Sequence, residues 1–144
     1  MKIKPGLFFA VILLTVFALT LWAWVKPGVA PLEDTIWILE SYGEPENLVS
    51  VVEGTEITAT FSSTEKRVNG SAGCNSYFGD YQLSDNSLTF VVLGHTEMYC
   101  MEPEGAMDQE TQYLKILNNA ENYQVTDGTL QVNSGNEILI YTAR

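Results

Sequence analysis

Beyond residue 26 the chain has only four basic side chains, Lys66, Arg67, Lys115 and Arg144, while all 18 acidic residues lie at or beyond Glu33, so this part carries a net −14. Nucleic-acid phosphates and anionic lipid headgroups are held by clustered Lys and Arg, and that scarcity argues against both as partners of the soluble part. His95 is the sole histidine. It shares a strand face with Glu97, yet two ligands are too few to hold a transition metal. The acidic residues nowhere show the spacing of an EF-hand calcium loop. Carboxylate pairs such as Glu44 with Glu46, or Glu102 with Glu104, fall in turn-like stretches and read as solvated surface rather than as a glycosidase pair. Neither of the two cysteines, Cys74 and Cys100, lies near the start of the chain, which excludes a lipoprotein-type acyl anchor there. No internal repeat is visible, and 144 residues leave room for one domain.

What the sequence does have is a long apolar run. Leu7 to Val25 is 19 residues without a charge; as a helix it spans roughly 28 Å, close to the hydrocarbon thickness of a bilayer. Thr15 and Thr20 can bond back to helix carbonyls, and Trp22 and Trp24 sit where an interfacial aromatic belt belongs. Lys2, Lys4 and the terminal amine precede the run and Lys26 follows it, which predicts a cytoplasmic N-terminus and an extracytoplasmic remainder, in a periplasm or at the cell surface. The competing reading is a signal peptide cut after Gly28-Val29-Ala30, which would make the protein secreted. Pro31 is an awkward residue to follow such a cut, and the run exceeds the apolar core of a signal peptide, so an uncleaved anchor is the expectation. The resulting division is an anchor over 1–26, a linker over 27–34 stiffened by Pro27, Gly28 and Pro31, and a domain over 35–144.

Within that domain, period-2 patterns dominate. Thr35 to Tyr42 predicts a strand with Trp37 and Leu39 on one face. Ile57 to Phe61 predicts a half-buried strand with Ile57, Ala59 and Phe61 inward. Lys66 to Ala72 continues the pattern, and Gly70, Gly73 and Gly79 suggest bends or bulges in a curved sheet. After an Asp85-Asn86 turn, Ser87 to Leu93 predicts a strand with Leu88, Phe90 and Val92 on its inner face. Asp127-Gly128 joins Tyr123–Thr126 to Thr129–Val132 as a type I′ hairpin, and Ser134-Gly135-Asn136 turns the chain into a last strand. One helix interrupts the strands. Pro103 suits its first turn, Glu102, Glu104 and Asp108 suit the positive end of its dipole, and it ends at Asn118-Asn119. Ala106, Met107, Glu110, Tyr113, Leu114 and Leu117 form its inward stripe.

The order of these residues resembles the META/HslJ domain family. The likeness runs through Trp37-Ile38-Leu39, Ile57 to Phe61, the G-C-N-x-Y-x-G-x-Y stretch from Gly73 to Tyr81, Thr96-Glu97-Met98-Tyr99-Cys100 and the helix from Met107 to Leu117. It implies an α+β fold, a mostly antiparallel curled or barrel-like sheet with one packed helix, in an exported or envelope-associated protein. The family is linked to stress or antibiotic tolerance in bacteria, and no agreed catalytic activity or cofactor comes with it.

An even cysteine pair in an oxidising compartment points to a Cys74–Cys100 disulfide. Closing a loop of 25 residues contributes roughly 3.5 kcal/mol in the chain-entropy account. The enzyme alternative makes Cys74 a nucleophile activated by His95, against the field of a strongly acidic domain that favours the thiol. Gly73 and Asn75 read as residues that tolerate a sheet bend. Asn69-Gly70-Ser71 fits the N-glycosylation pattern, relevant where the host has that machinery. Tyr42, Tyr77, Tyr81 and Tyr99 form the candidate interaction surface. The expectation is a non-enzymatic, membrane-anchored protein-interaction module with an envelope partner. A carrier that encloses a small apolar ligand in the curled sheet is the alternative. The anchor reading predicts that the full chain stays in the membrane fraction after alkaline carbonate washing, with its C-terminus open to external protease; a soluble mature form starting at Pro31 would establish cleavage instead.

Overall fold

Regular alternation, broken at two bulges, builds this fold. The structure, a computed structural model, describes residues 30–144; the expected anchor Leu7–Val25 and the Pro27-Gly28 spacer lie outside them. Among the described residues nine strands and one helix follow in order: β1 (Ile36–Glu44), β2 (Asn47–Ser50), β3 (Thr58–Ser62), β4 (Arg67–Ser71), β5 (Ser76–Ser84), β6 (Ser87–His95), α1 (Ala106–Asn118), β7 (Asn122–Thr126), β8 (Thr129–Ser134) and β9 (Glu137–Ala143). Neighbours are antiparallel in one sheet, and β9 pairs back onto β1. Eight strands, β1 and β3 to β9, thereby close a barrel, while β2 continues the sheet along the far half of β1. The last three strands are the expected meander, with Asp127 and Gly128 both at positive φ in the hairpin turn. Strands β2 and β5 go beyond what the alternation pattern announces.

Barrels of eight strands have an interior that side chains alone can fill. Trp37, Phe61, Tyr77, Tyr113 and Tyr141, each at most 1% exposed, occupy this one together with Ile57, Leu88, Leu130 and Leu139. Ile57, Ala59 and Phe61 face inward as their alternation predicts. So do Trp37 and Leu39.

Two bulges overturn the sequence reading further along. Opposite β9, Leu39 pairs with Tyr141 but Ser41 with Ile140, so β1 carries an extra residue at Glu40. The alternation changes phase there and Tyr42 turns into the core. On β6, Phe90 pairs with Tyr81 and Leu93 with Gly79, three steps against two. Leu88 is buried as expected and Phe90, on the same face, is only half-buried, but Val92 is 70% exposed and Leu93 takes the inner position in its place. Gly79 makes this close approach possible, since a Cβ there would lie 2.4 Å from the Val92 carbonyl oxygen.

The helix differs in its start. Gly105, in the left-handed conformation, is its N-cap, so Pro103, Glu102 and Glu104 precede it and Asp108 is the acid in its first turn. Its buried stripe is Ala106, Gln109, Glu110, Tyr113, Ile116 and Leu117, with Met107 and Leu114 half-buried on the flank. It packs on β6, β8 and β9. Among the described residues no helix is long and apolar enough to cross a membrane. Part of the expected linker is docked on the barrel: Leu32 is buried, its carbonyl accepts from Trp37 Nε1 at 2.9 Å, and Asp34 N donates to the Phe61 carbonyl at 2.8 Å.

Because Phe61 is enclosed on all sides, Phe61→Ala should lower stability in urea denaturation by about 3 to 5 kcal/mol through lost contact and a residual cavity. Val92→Ala should change it by less than about 0.5 kcal/mol, and Phe90→Ala should fall between them; the reverse order for Phe61 and Val92 would remove the bulge from the account.

Candidate functional site

Helical side chains lean toward the N-terminus of their helix, and two consecutive ones on α1 use that direction to pin two loops. Gln109 accepts from the Val52 amide at 2.6 Å through Oε1 and donates to Thr55 Oγ1 at 2.9 Å through Nε2, which holds the loop after β2. Glu110 is 4% exposed, and its carboxylate accepts from the amides of Cys74 (3.1 Å) and Asn75 (2.6 Å) and from Asn75 Nδ2 (2.6 Å). Asn75 passes the order on. Its Nδ2 also donates to the Met98 carbonyl at 3.0 Å, and its Oδ1 accepts from Thr96 Oγ1 at 2.8 Å and from the Met98 amide at 2.6 Å. A buried carboxylate is tolerated when donors surround it, and every buried side-chain polar atom among the described residues has a partner.

This network changes the reading of the Gly73–Asn75 turn. Gly73, with φ 109°, does supply the backbone freedom that a bend needs. Asn75 has another role: it is a four-bond hub joining α1, the turn and the segment after β6. Thr96 and Met98 belong to that hub, and Cys100 is bonded to Cys74 with Cα atoms 5.9 Å apart. Bridged in this way, Cys74 has no thiolate to offer as a nucleophile. His95 is exposed at the end of β6, Nδ1 lying 2.7 Å from the Thr96 carbonyl, and Glu97 lies past the strand. Among the described residues no group of three His, Cys, Asp or Glu side chains could hold a metal ion.

The proposed tyrosine surface does not form. Tyr42, Tyr77 and Tyr81 are buried, and Tyr99, 79% exposed, is the one member on the surface. Tyr77 OH donates to the Thr58 carbonyl at 2.8 Å and lies 2.8 Å from Tyr113 OH, which in turn is 3.2 Å from Tyr141 OH. Burial, first of all, pushes all three phenols above their ordinary range. Tyr81 OH bonds Glu33 Oε1 at 2.5 Å and the Ser62 carbonyl at 2.9 Å. Lys66 and Tyr81 together hold the Glu33 carboxyl below its ordinary range.

Outside the barrel, two open grooves run between β6 and α1. One, about 430 Å³, is lined by Val91, Val92, Leu93 and His95 on one side and Thr111, Leu114, Lys115 and Asn118 on the other. The second, about 420 Å³, adjoins it through His95, Thr111 and Leu114 and continues past Asn75, Thr96, Met98, Tyr99 and Met107. Val91, Val92, Met98, Tyr99 and Met101 are all more than half exposed.

The sequence model of the META domain matches residues 30–144. The chain belongs to the META domain family. No curated protein matches it. Among solved structures it is similar to a protein from Burkholderia xenovorans determined by NMR, with 29% identity and a TM-score of 0.65 over 83% of this chain and 94% of that one. A second NMR structure is 22% identical, with a TM-score of 0.58 over 76% of this chain and 89% of that one. A crystal structure of a DUF4847 family protein from Bacteroides vulgatus is 13% identical, with a TM-score of 0.55 over 77% of this chain and 93% of that one. The latter two share the fold alone.

In this META domain the residues that carry the family likeness are thus mostly internal supports. Tyr77 and Tyr81 fill and tie the barrel, while Asn75, Thr96, Met98 and Cys100 tie its loops. Sequence reasoning missed Gln109 and the role of Asn75. The signal that could have found the network is Glu110, an acid in register with Ala106, Tyr113 and Leu117. Glu110→Ala should cost about 3 kcal/mol, because three donors lose their acceptor in a buried site. Asn75→Ala should cost about as much, and the double variant clearly less than the sum, which a denaturant double-mutant cycle would read.

Proposed function

We propose that this META domain is a non-enzymatic, membrane-tethered extracytoplasmic module that holds a protein partner by strand addition at the free edge of β6. The observation that carries this reading is the pairing of β6. It pairs along its length with β5, but with β7 only through Ser87 and Asn122, so from Thr89 onward its second edge has no strand partner among the described residues. Val91 and Val92, 61% and 70% exposed, stand at that edge above the groove walled by α1. An edge with open backbone groups invites an extended peptide, which gains affinity from main-chain bonds and specificity from alternate side chains seated in the groove.

Charge defines the partner further. The soluble part carries −14, so the fitting segment is extended and aliphatic with flanking Lys or Arg. The bridged cysteines support an oxidising compartment, and the Leu7–Val25 run supports tethering there. A partner in the envelope agrees with the family's link to stress or antibiotic tolerance. The filled interior argues against a carrier, since a ligand would have to displace Trp37, Phe61 or Tyr113.

A photo-crosslinking residue at Val92 or Lys115, in the full chain in its host, should trap the same protein, and one at Leu48 on β2 should not. A synthetic extended segment of that protein should then slow amide exchange across Thr89–Leu93 in the purified chain. Equal labelling from Leu48, or exchange unchanged on β6, would end the proposal.

A further inference from the structure

Apart from Met1, all the methionines of this chain, Met98, Met101 and Met107, lie within ten residues, and the sole histidine is three residues before the first of them. His95, Met98 and Met107 line one groove. Met98 is 58% exposed, although its long apolar side chain could gain by burial. We propose that this groove is a binding site for a soft monovalent d¹⁰ cation, Cu(I), coordinated by the Met98 and Met107 thioethers and by His95 Nε2.

Three features of the structure support this assignment. The first is the tautomer of His95. Its Nδ1 lies 2.7 Å from the Thr96 carbonyl oxygen, which can only accept, so Nδ1 carries the proton and the Nε2 lone pair is left for a metal. Metal-bound imidazoles have this same second-shell bond to a carbonyl, which fixes the ring as well as the tautomer. The second is the support beneath the donors. Met98 is held through both its amide and its carbonyl by Asn75, and Met107 Sδ accepts from the Cys100 amide at 3.4 Å, which fixes the position of the thioether. The Met98 backbone is therefore set by the Glu110–Asn75 hub beside the Cys74–Cys100 bridge, and the Met107 backbone by the first turn of α1.

The third is the set of donors itself. Thioether and imidazole suit Cu(I), whereas zinc, magnesium and calcium require thiolates, carboxylates or more imidazoles, and no such group of three is present among the described residues. Both cysteines are consumed by the bridge. In an oxidising compartment thiols are lost to disulfides, and thioethers are then the soft donors that remain; they also bind without losing a proton. The exposed carboxylate of Glu97, in the same groove, offsets the positive charge of the bound ion. The site shares His95 with the adjoining groove but needs neither Val91 nor Val92.

The test is titration of the full chain in detergent with Ag(I), a redox-inert stand-in, and anaerobically with Cu(I) against a chromophoric chelator. Methionines labelled with ¹³C in the methyl group report each thioether by NMR. One ion should bind per chain, shifting the Met98 and Met107 methyls and leaving those of Met1 and Met101 in place. Met98→Leu and His95→Ala, both at exposed positions, should each weaken binding at least about tenfold, equivalent to 1.4 kcal/mol. Met101→Leu should change it less than about twofold, equivalent to roughly 0.4 kcal/mol. Absence of 1:1 binding, parallel shifts at all four methyls, unchanged affinity in Met98→Leu, or displacement of Ag(I) by excess Zn(II) would each overturn the assignment. Circular dichroism of the variants shows that a lost affinity is not a lost fold.

Discussion

A carboxylate that is buried has to be surrounded by donors, and Glu110 meets that demand with backbone it would otherwise have no reason to hold. The Cys74 and Asn75 amides point at it, Asn75 turns its side chain toward it, and the rest of Asn75 then fixes Thr96 and Met98. A single acid on α1 thereby determines where the β4–β5 turn and the segment after β6 lie. The disulfide joins the same two segments covalently. Hydrogen bonds give that junction its direction, and the covalent bond limits how far the two segments can part when the chain unfolds.

The interior follows another logic. Eight strands enclose a volume that large side chains can fill, and here aromatic residues do so, with the phenols of Tyr77, Tyr113 and Tyr141 linked in a chain so that none is buried without a partner. Tyr113 comes from the helix, which therefore completes the core instead of merely covering it. The interior is full, so the grooves among the described residues lie outside the barrel. One stretch of the sheet is left without a strand neighbour, because β6 and β7 part after a single residue pair and α1 stands beside the gap.

Much of this was legible beforehand. The inward faces of β1 and β3, the Asp127-Gly128 hairpin, the final meander and the presence of one helix after β6 follow from period and turn chemistry. Two of the differences, at Tyr42 and Val92, have a common cause. Strict alternation carries Tyr42 to the surface and Val92 to the core, and in both strands a one-residue bulge reverses the phase. Gly79 was recognised as a place where the sheet needs room. What could not be foreseen is that the extra residue lies on the facing strand.

The sequence by itself determined the acidity of the domain, the apolar run before it, the residues able to form strands and the pairing of its two cysteines, because each depends on composition or on near neighbours along the chain. Tertiary structure alone decided which tyrosines are interior, that Asn75 is a hub and not just a bend residue, and that His95, Met98 and Met107 line one groove while Met101 stays outside it. These depend on register between strands far apart in sequence. A shift of one residue there exchanges the two faces of a strand, and no local pattern records it.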